Sequence, residues 1–316
     1  MESQLKNEEV AHWIQGRLTR SLVFVHGKGG VGKTVVSKAI AQCLSDRGHR
    51  TLWVAFEDPT VSPGEFKQVG PHLAHLNCDF TLSFEEYAAM KIGAPRLARL
   101  FLQNRVIQYL AKAAPGIHEL VLLGKVWFES SRYSHVVVDL PATGHGLTMF
   151  QSTENFARLF GGGPLTKDAE GMLESFRDAR STAHVIVALP EEMPLRESLD
   201  LNDYLKKAFP KNPASFLVNR LFPHISSKPE SKTDSKNLKS ESEAPTESPD
   251  SWPSPVPESA SDYALKRLKL EEFNLRIWRE ENIPFGKLDF IPPPLEDTQA
   301  VIVKALAKQL HSKNYV

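Results

Sequence analysis

A glycine-rich stretch, residues 27–34 (GKGGVGKT), carries the residues whose types and spacing most clearly predict chemistry. Gly27 and Gly32 lie five positions apart, and Lys33 and Thr34 follow directly, which is the pattern of a phosphate-binding loop. Residues without a Cβ let successive backbone N–H groups point at a phosphate, and the helix that follows adds its positive N-terminal end. Lys33 would reach the β- and γ-phosphates, and the Thr34 hydroxyl would coordinate Mg²⁺. The predicted nucleotide-binding loop comprises Gly27, Lys28, Gly29, Gly30, Val31, Gly32, Lys33, Thr34 and Val35.

Two aspartates stand where predicted strands end. Asp58 follows residues 51–56, and a carboxylate there could position or deprotonate the water that attacks a γ-phosphate. A plain Asp-Pro turn that opens a loop is the alternative for Asp58. Asp139 ends an apolar strand, where an unpaired carboxylate would be costly to bury and a Mg²⁺ shell would offset that cost. A helix N-cap or a salt bridge remains the alternative for Asp139.

The elements that must position these residues read as alternating strands and helices. Apolar runs without alternation are typical of parallel strands that are covered on both faces. They fall at residues 22–25, 51–56, 135–139, 184–189, 215–218 and 287–291. With helices between them, the pattern predicts an α/β fold with a doubly wound, mostly parallel sheet. Ligands bind at the carboxyl ends of such strands, here His26, Asp58, Asp139, Pro190, Asn219 and Pro292.

The remaining segments divide the chain into parts of different composition. Residues 1–19 predict a short amphipathic helix that covers the domain, which itself takes up residues 20–224 and 262–316. Helical patterns at about 84–130 and 146–182 predict a helical subdomain. Residues 225–261 are rich in Ser, Pro, Glu and Lys and predict a disordered insertion, because they cannot bury enough apolar surface.

Composition excludes several classes of function. The formal net charge of +0 gives no support to binding of nucleic acid or of a membrane surface. No apolar run approaches the roughly 18 residues of a membrane span, and the acidic N-terminal stretch predicts no secretory signal. Two cysteines, Cys43 and Cys78, cannot make a disulfide framework. We therefore expect a cytoplasmic protein without an integral membrane segment.

Several motifs resemble one family of ATPases. Lys28, directly after the first glycine, makes the loop similar to the deviant phosphate loop of the SIMIBI class of P-loop NTPases. Residues 139–147 (DLPATGHGL) resemble the second switch, DTAPTGHTL, of the ArsA and tail-anchored-protein targeting ATPases. PGIHEL at 115–120, PEEMPLRES at 190–198 and the Val218-Asn219 pair resemble further elements of that family. The resemblance covers residues 22–219 and, more weakly, 283–296, and it identifies a single-copy member of the bacterial type.

The resemblance implies roles that spacing alone does not. Lys28 would reach across a dimer interface to the nucleotide of the partner, which is either a second copy of the chain or a paralogue. Gly144 and His145 would sense the γ-phosphate, and Asn219 and Pro292 would contact the adenine. An exposed loop lysine and a polar loop histidine are the alternatives for Lys28 and His145.

Three departures from the family pattern bear on function. The first switch reads DPTVSPGE instead of DPAHSLSD, so Val61 stands at the histidine position and hydrolysis is expected to be slow or differently coupled. There is no CxxC for a zinc clasp, and the cysteines used by arsenite-stimulated members are absent. We therefore expect an ATPase that uses ATP and Mg²⁺, works as a nucleotide-switched dimer and binds an unidentified protein client. The alternatives are the soluble subunit of an arsenite-type anion pump and a ParA/MinD-like regulatory switch.

Overall fold

The computed structural model describes residues 2–56, 58–92, 116–159, 164–222, 260–292 and 298–316. The predicted insertion at 225–261 lies almost wholly outside these ranges. Residues 93–115 of the predicted helical subdomain also lie outside them.

Within the described ranges, eight strands form a single sheet. They are β1 (Leu22–His26), β2 (Thr51–Phe56), β3 (Phe66–Gln68), β4 (Leu73–Cys78), β5 (His135–Asp139), β6 (Thr182–Ala188), β7 (Ser215–Leu221) and β8 (Phe285–Asp289). Their order across the sheet is β3-β4-β2-β5-β1-β6-β7-β8. The β3–β4 pair is antiparallel and every other neighbouring pair is parallel, which confirms the predicted α/β fold with a mostly parallel sheet.

Helices cover both faces of the sheet. In the described ranges they are α1 (Glu2–Leu18), α2 (Lys33–Asp46), α3 (Phe80–Ile92), α4 (Ile117–Ser130), α5 (Thr143–Leu159), α6 (Pro164–Arg177), α7 (Glu192–Ala208), α8 (Ala260–Asn274), α9 (Arg276–Glu280) and α10 (Thr298–Ser312). Among these helices none is both long enough and apolar enough to cross a bilayer. The helix predicted at the N-terminus is α1, whose Arg17 donates to the side chain of Asn212 and to the carbonyl of Pro213 at 2.8 Å.

The predicted strands are present, with ends that differ by a few residues. β6 begins at Thr182 rather than at His184, and β8 spans Phe285–Asp289 rather than 287–291. β3 and β4 were not predicted. Polar residues interrupt the apolar pattern of β4 (LAHLNC), although all six of its residues are buried. Burial there comes from tertiary pairing with β2 and β3, which no local pattern reveals.

An aromatic cluster packs on one face of the strand that leads into the phosphate loop. Phe24, in the middle of β1, meets Phe150 and Phe176 edge to face, with ring centroids 5.2 and 4.9 Å apart. His184 stacks on Phe209 with the ring centroids 4.2 Å apart, and burial lowers the pKa of His184 to about 3. The alternate residues of β1, Val23 among them, are buried on the other face. The phosphate loop is thus anchored on a strand packed from both sides.

Truncating Phe24 should destabilise the domain strongly. We expect Phe24→Ala to lower the free energy of unfolding by about 3–5 kcal/mol, because the change empties the centre of a fully buried aromatic cluster. Phe273→Ala is the matched control, since that ring is 62% exposed and its loss should change the value by under about 0.5 kcal/mol. Urea unfolding followed by circular dichroism measures both. Equal losses in the two variants would contradict the prediction.

Candidate functional site

The glycine-rich loop leaves β1 at the centre of the sheet, between β5 and β6. Gly27, Gly30 and Gly32 have φ angles of 146°, 85° and 92°, a region that residues with a Cβ rarely adopt. α2 begins at Lys33, immediately after the loop, so its N-terminal N–H groups face the loop. Backbone donors and a helix N-terminus therefore converge where the sequence predicts phosphates.

Lys33 is the buried cation of the loop. Its ammonium group donates to the carbonyl of Lys28 at 3.0 Å, and its side chain is largely enclosed. Burial lowers the pKa of Lys33, and the charge of Asp139 opposes that shift. A buried ammonium that is held by a single neutral carbonyl is well placed to pair with an anion.

The Thr34 hydroxyl donates to the Oδ2 atom of Asp139 at 2.6 Å, which joins the start of α2 to the end of β5. The Oδ1 atom of Asp139 is buried and has no hydrogen-bond partner among the residues that the structure describes. Burial raises the pKa of Asp139, against the lowering effects of the Thr34 hydrogen bond and the Lys33 charge. A hydroxyl beside an unsatisfied carboxylate oxygen is an oxygen donor set that suits Mg²⁺, so these two residues fit the predicted metal site.

Asp58 lies two residues beyond the end of β2, in a loop that neighbouring residues hold in place. Its Oδ1 atom accepts from the Thr60 N–H at 2.9 Å and from the Thr60 hydroxyl at 2.6 Å. Asn77, at the end of β4, donates to the carbonyls of Asp58 and Val61 at 2.8 and 2.7 Å and accepts from the Asp58 N–H at 2.9 Å. The Asp-Pro turn is therefore present, and the Asp58 carboxylate faces Thr60 and His75.

The charge state of Asp58 follows from its neighbours. Partial burial acts to raise the pKa of Asp58, but the two Thr60 hydrogen bonds and the charges of Lys38 and His75 bring it below its ordinary value. His75 lies with Nε2 3.6 Å from Asp58 Oδ2, and burial lowers the pKa of His75 to about 4. At neutral pH the pair is therefore an ionised carboxylate beside a neutral imidazole.

The Lys28 side chain has an ion-pair partner within its own chain. Its ammonium group forms an ion pair with Glu197 of α7, although 55% of the Lys28 side chain remains exposed. The contact lies at the surface, where such pairs contribute at most about 1 kcal/mol.

Asn219 lies beside the phosphate loop. Within β7 it is buried and donates from Nδ2 to the Val31 carbonyl at 2.9 Å. A Cβ on Gly32 would approach that Nδ2 atom to 2.5 Å. The next residue, Arg220, has a φ of 61°, and the register between β7 and β8 shifts there.

The remaining predicted site residues, Pro292, Gly144 and His145, follow the carboxyl ends of strands. Pro292 is exposed three residues beyond β8. Gly144 and His145 lie in the first turn of α5, directly after the strand that ends at Asp139, and their side chains are outside the described residues.

The structure thus brings Thr34 and Asp139 into contact, and it sets Lys33 and Asp58 close enough for their charges to act on Asp139. Sequence reasoning missed Asn77, Thr60 and Glu197. Asn77 could have been found by the rule of strand carboxyl ends, had β4 been predicted.

Comparison with known proteins agrees with this geometry. Residues 20–162 match the model of the anion-transporting ATPase family, ArsA. This segment includes the phosphate loop, Asp58 and Asp139. Within this segment the chain resembles the ArsA ATPase family.

Curated relatives carry several family names. ATPase BagA of Mycobacterium tuberculosis is 26% identical over 225 residues, which are 64% of this chain and 65% of that protein. ATPase GET3B of Arabidopsis thaliana is 26% identical over 272 residues, 66% of each chain. A putative arsenical pump-driving ATPase of Aquifex aeolicus is 29% identical over 151 residues, 42% of this chain and 49% of that protein. This chain spans 65% of the length of the mycobacterial relative, just under two thirds.

Adding a methyl group at Gly32 should weaken nucleotide binding. Gly32→Ala would force a left-handed backbone on alanine and press its Cβ against Asn219, so we expect the affinity for mant-ATP to fall about 10- to 100-fold. Gly124→Ala is the matched control, because a Cβ there meets open space on α4. Fluorescence titration measures both. Unchanged binding in Gly32→Ala would contradict the placement of the nucleotide.

Proposed function

We propose that the chain is a Mg²⁺-dependent ATP hydrolase. The observation that carries the proposal is the Thr34–Asp139 pair at the phosphate loop, with one Asp139 oxygen buried and unsatisfied. The family match over residues 20–162 supports the proposal, and so do the relatives compared above, which are named as ATPases.

Each residue of the site has a distinct task in this proposal. Loop N–H groups and Lys33 hold the β- and γ-phosphates and neutralise charge that develops during phosphoryl transfer. Thr34 and Asp139 would hold Mg²⁺, which would supply neutralisation of the phosphate charge. Asp58 orients the attacking water as a hydrogen-bond acceptor. Its lowered pKa makes it a fixed, ionised acceptor rather than a strong base, and its Thr60 and Asn77 contacts hold it in one orientation.

We further propose that hydrolysis drives a two-state dimer, formed with a second copy or with a paralogue. In the single protomer Lys28 pairs with Glu197 of its own chain. Reaching the partner's nucleotide would require Lys28 to leave that pair. The pair is weak because it is partly exposed, so a bound phosphate offers enough attraction to replace it. Dimer formation would then depend on the nucleotide.

The helical layer supplies a candidate surface for a protein client. A cavity of 320 Å³ lies between α3, α4 and α6, where Leu120, Trp127 and Met172 form part of an apolar wall. Met90, at its rim, is 47% exposed. The apolar helical pattern of residues 84–127 favours this region as a client surface, with core packing as the alternative for most of it. Among its described residues, Tyr87 and Val121 also belong to the cavity lining. An apolar segment of a client is the occupant that such a wall favours.

The burial of the two cysteine thiols argues against the arsenite-pump alternative. Both cysteines are buried, and burial raises the pKa of Cys43 to about 11 and that of Cys78 to about 12. Arsenite would be bound by accessible thiolates, as expected of soft ligands. The regulatory-switch alternative, the cytoplasmic location and the absence of a nucleic-acid partner stay predictions from the sequence.

Replacing Asp58 should separate ATP binding from hydrolysis. Asp58→Asn keeps the Thr60 contacts in shape but removes the ionised acceptor, so we expect ATP turnover to fall by at least about 100-fold while an ATP-bound dimer accumulates. Phosphate release and light-scattering mass with Mg-ATP are measured together. Asp203→Asn, exposed on α7, should keep wild-type turnover.

Two outcomes would contradict the proposal. Hydrolysis that survives Asp58→Asn would remove Asp58 from the reaction. A wild-type chain that hydrolyses nothing and stays monomeric with Mg-ATP would overturn the homodimeric ATPase.

A further inference from the structure

A second cavity, of 370 Å³, adjoins the loop of Asp58. It lies between α2, α10 and the strands β2, β3 and β4, and we call it the β2–β4 cavity. Its apolar lining includes Trp53, Leu73 and Val303. This volume lies in the range of small-molecule sites. Trp53 is only 4% exposed, and Val69, also in the lining, is 49% exposed.

The polar groups of the β2–β4 cavity are mostly cationic. Lys38, Lys67 and Lys304 line it, and Asp58 is its single carboxylate among the described residues. His75, also in the lining, is neutral at neutral pH because burial lowers its pKa to about 4. The side chains that line the cavity therefore carry three positive charges against one negative charge.

The lysines lack acidic partners of their own. In the part of the chain that the structure describes, no carboxylate forms an ion pair with any of the three. Lys38 instead donates to Gln299 at 3.3 Å and lies 4.5 Å from the centre of the Trp53 ring. Among the described residues, the buried Nε2 atom of His75 has no hydrogen-bond partner. An excess of positive charge beside an apolar lining complements a ligand with a negative group and an apolar body.

We propose that the β2–β4 cavity is a binding site for a small organic anion, an aromatic carboxylate or a compound of the same charge and shape. The apolar body would lie against Val69 and Val303, at the edge of the Trp53 ring, and the anionic group would face Lys67 and Lys304.

Such a ligand would touch the first-switch loop. Thr60 and Val61 belong to the lining, and Thr60 makes both hydrogen bonds to the Asp58 carboxylate. Val61 stands where the family's first switch usually has a histidine. A ligand in the cavity would therefore affect the position of Asp58, the residue proposed to orient water. This link rests on the proposed function, whereas binding of the ligand itself does not.

The test uses 2-naphthoate as the probe and 2-naphthamide as its neutral counterpart. The full chain is labelled with 5-fluorotryptophan, and the ¹⁹F resonance of Trp53 is assigned among the five tryptophans by Trp53→Phe. We expect 2-naphthoate to shift the Trp53 resonance saturably, with a dissociation constant below about 1 mM, and 2-naphthamide to bind at least about fivefold more weakly. Trp127 reports separately on the helical-layer cavity.

Variants decide whether the lysines are responsible. Lys67→Gln combined with Lys304→Gln should weaken 2-naphthoate binding about fivefold, with the other ¹⁹F resonances unmoved. Lys308→Gln, one turn further along α10 and outside the lining, is the matched control and should bind as the wild type does. An unmoved Trp53 resonance, equal affinity for the two probes, or wild-type affinity in the double variant would each overturn the proposal. Because no nucleotide is added, a failure here leaves the ATPase proposal untouched.

Discussion

The 2.6 Å hydrogen bond from the Thr34 hydroxyl to the Asp139 carboxylate is the contact on which the arrangement of this site depends. A carboxylate at the end of a buried strand must find compensation, because its desolvation is expensive. Thr34 supplies one partner and the Lys33 charge another, yet one Asp139 oxygen stays unsatisfied. That oxygen suits a hard cation as a ligand. The Thr34–Asp139 hydrogen bond also fixes the first turn of α2 against β5.

Sheet order explains why this contact exists at all. β1 lies between β5 and β6, so the phosphate loop leaves the sheet beside Asp139, and parallel strands bring the other carboxyl ends to the same edge. The Asp58 loop arrives from β2, two strands away, and is fixed by Asn77 from β4. α7 follows β6 and carries Glu197 to Lys28. One edge of the sheet thus brings together the proposed phosphate site, the proposed first switch and the Lys28–Glu197 ion pair.

Much of this could be read from the sequence, because the phosphate loop is local. Gly27, Gly32, Lys33 and Thr34 are adjacent in the chain, and a strand-loop-helix unit needs no distant information to form. Asp139 was found because an acid that ends an apolar run is conspicuous. Asn77 was missed because β4 is buried by its pairing with β2 and β3, and its own pattern is mixed. The Lys28–Glu197 pair joins residues 169 apart, and only the folded sheet places them together.

Titration of ATP by calorimetry, with Mg²⁺ and with EDTA, tests the central claim most directly when the wild type is compared with Asp139→Asn. Asparagine keeps the shape of the side chain and an oxygen for Thr34, but it loses the charge that attracts the cation. The account predicts that Mg²⁺ tightens ATP binding to the wild type by at least about tenfold, that this gain disappears in Asp139→Asn, and that the affinity measured in EDTA stays the same. A variant that keeps the full magnesium effect would contradict it.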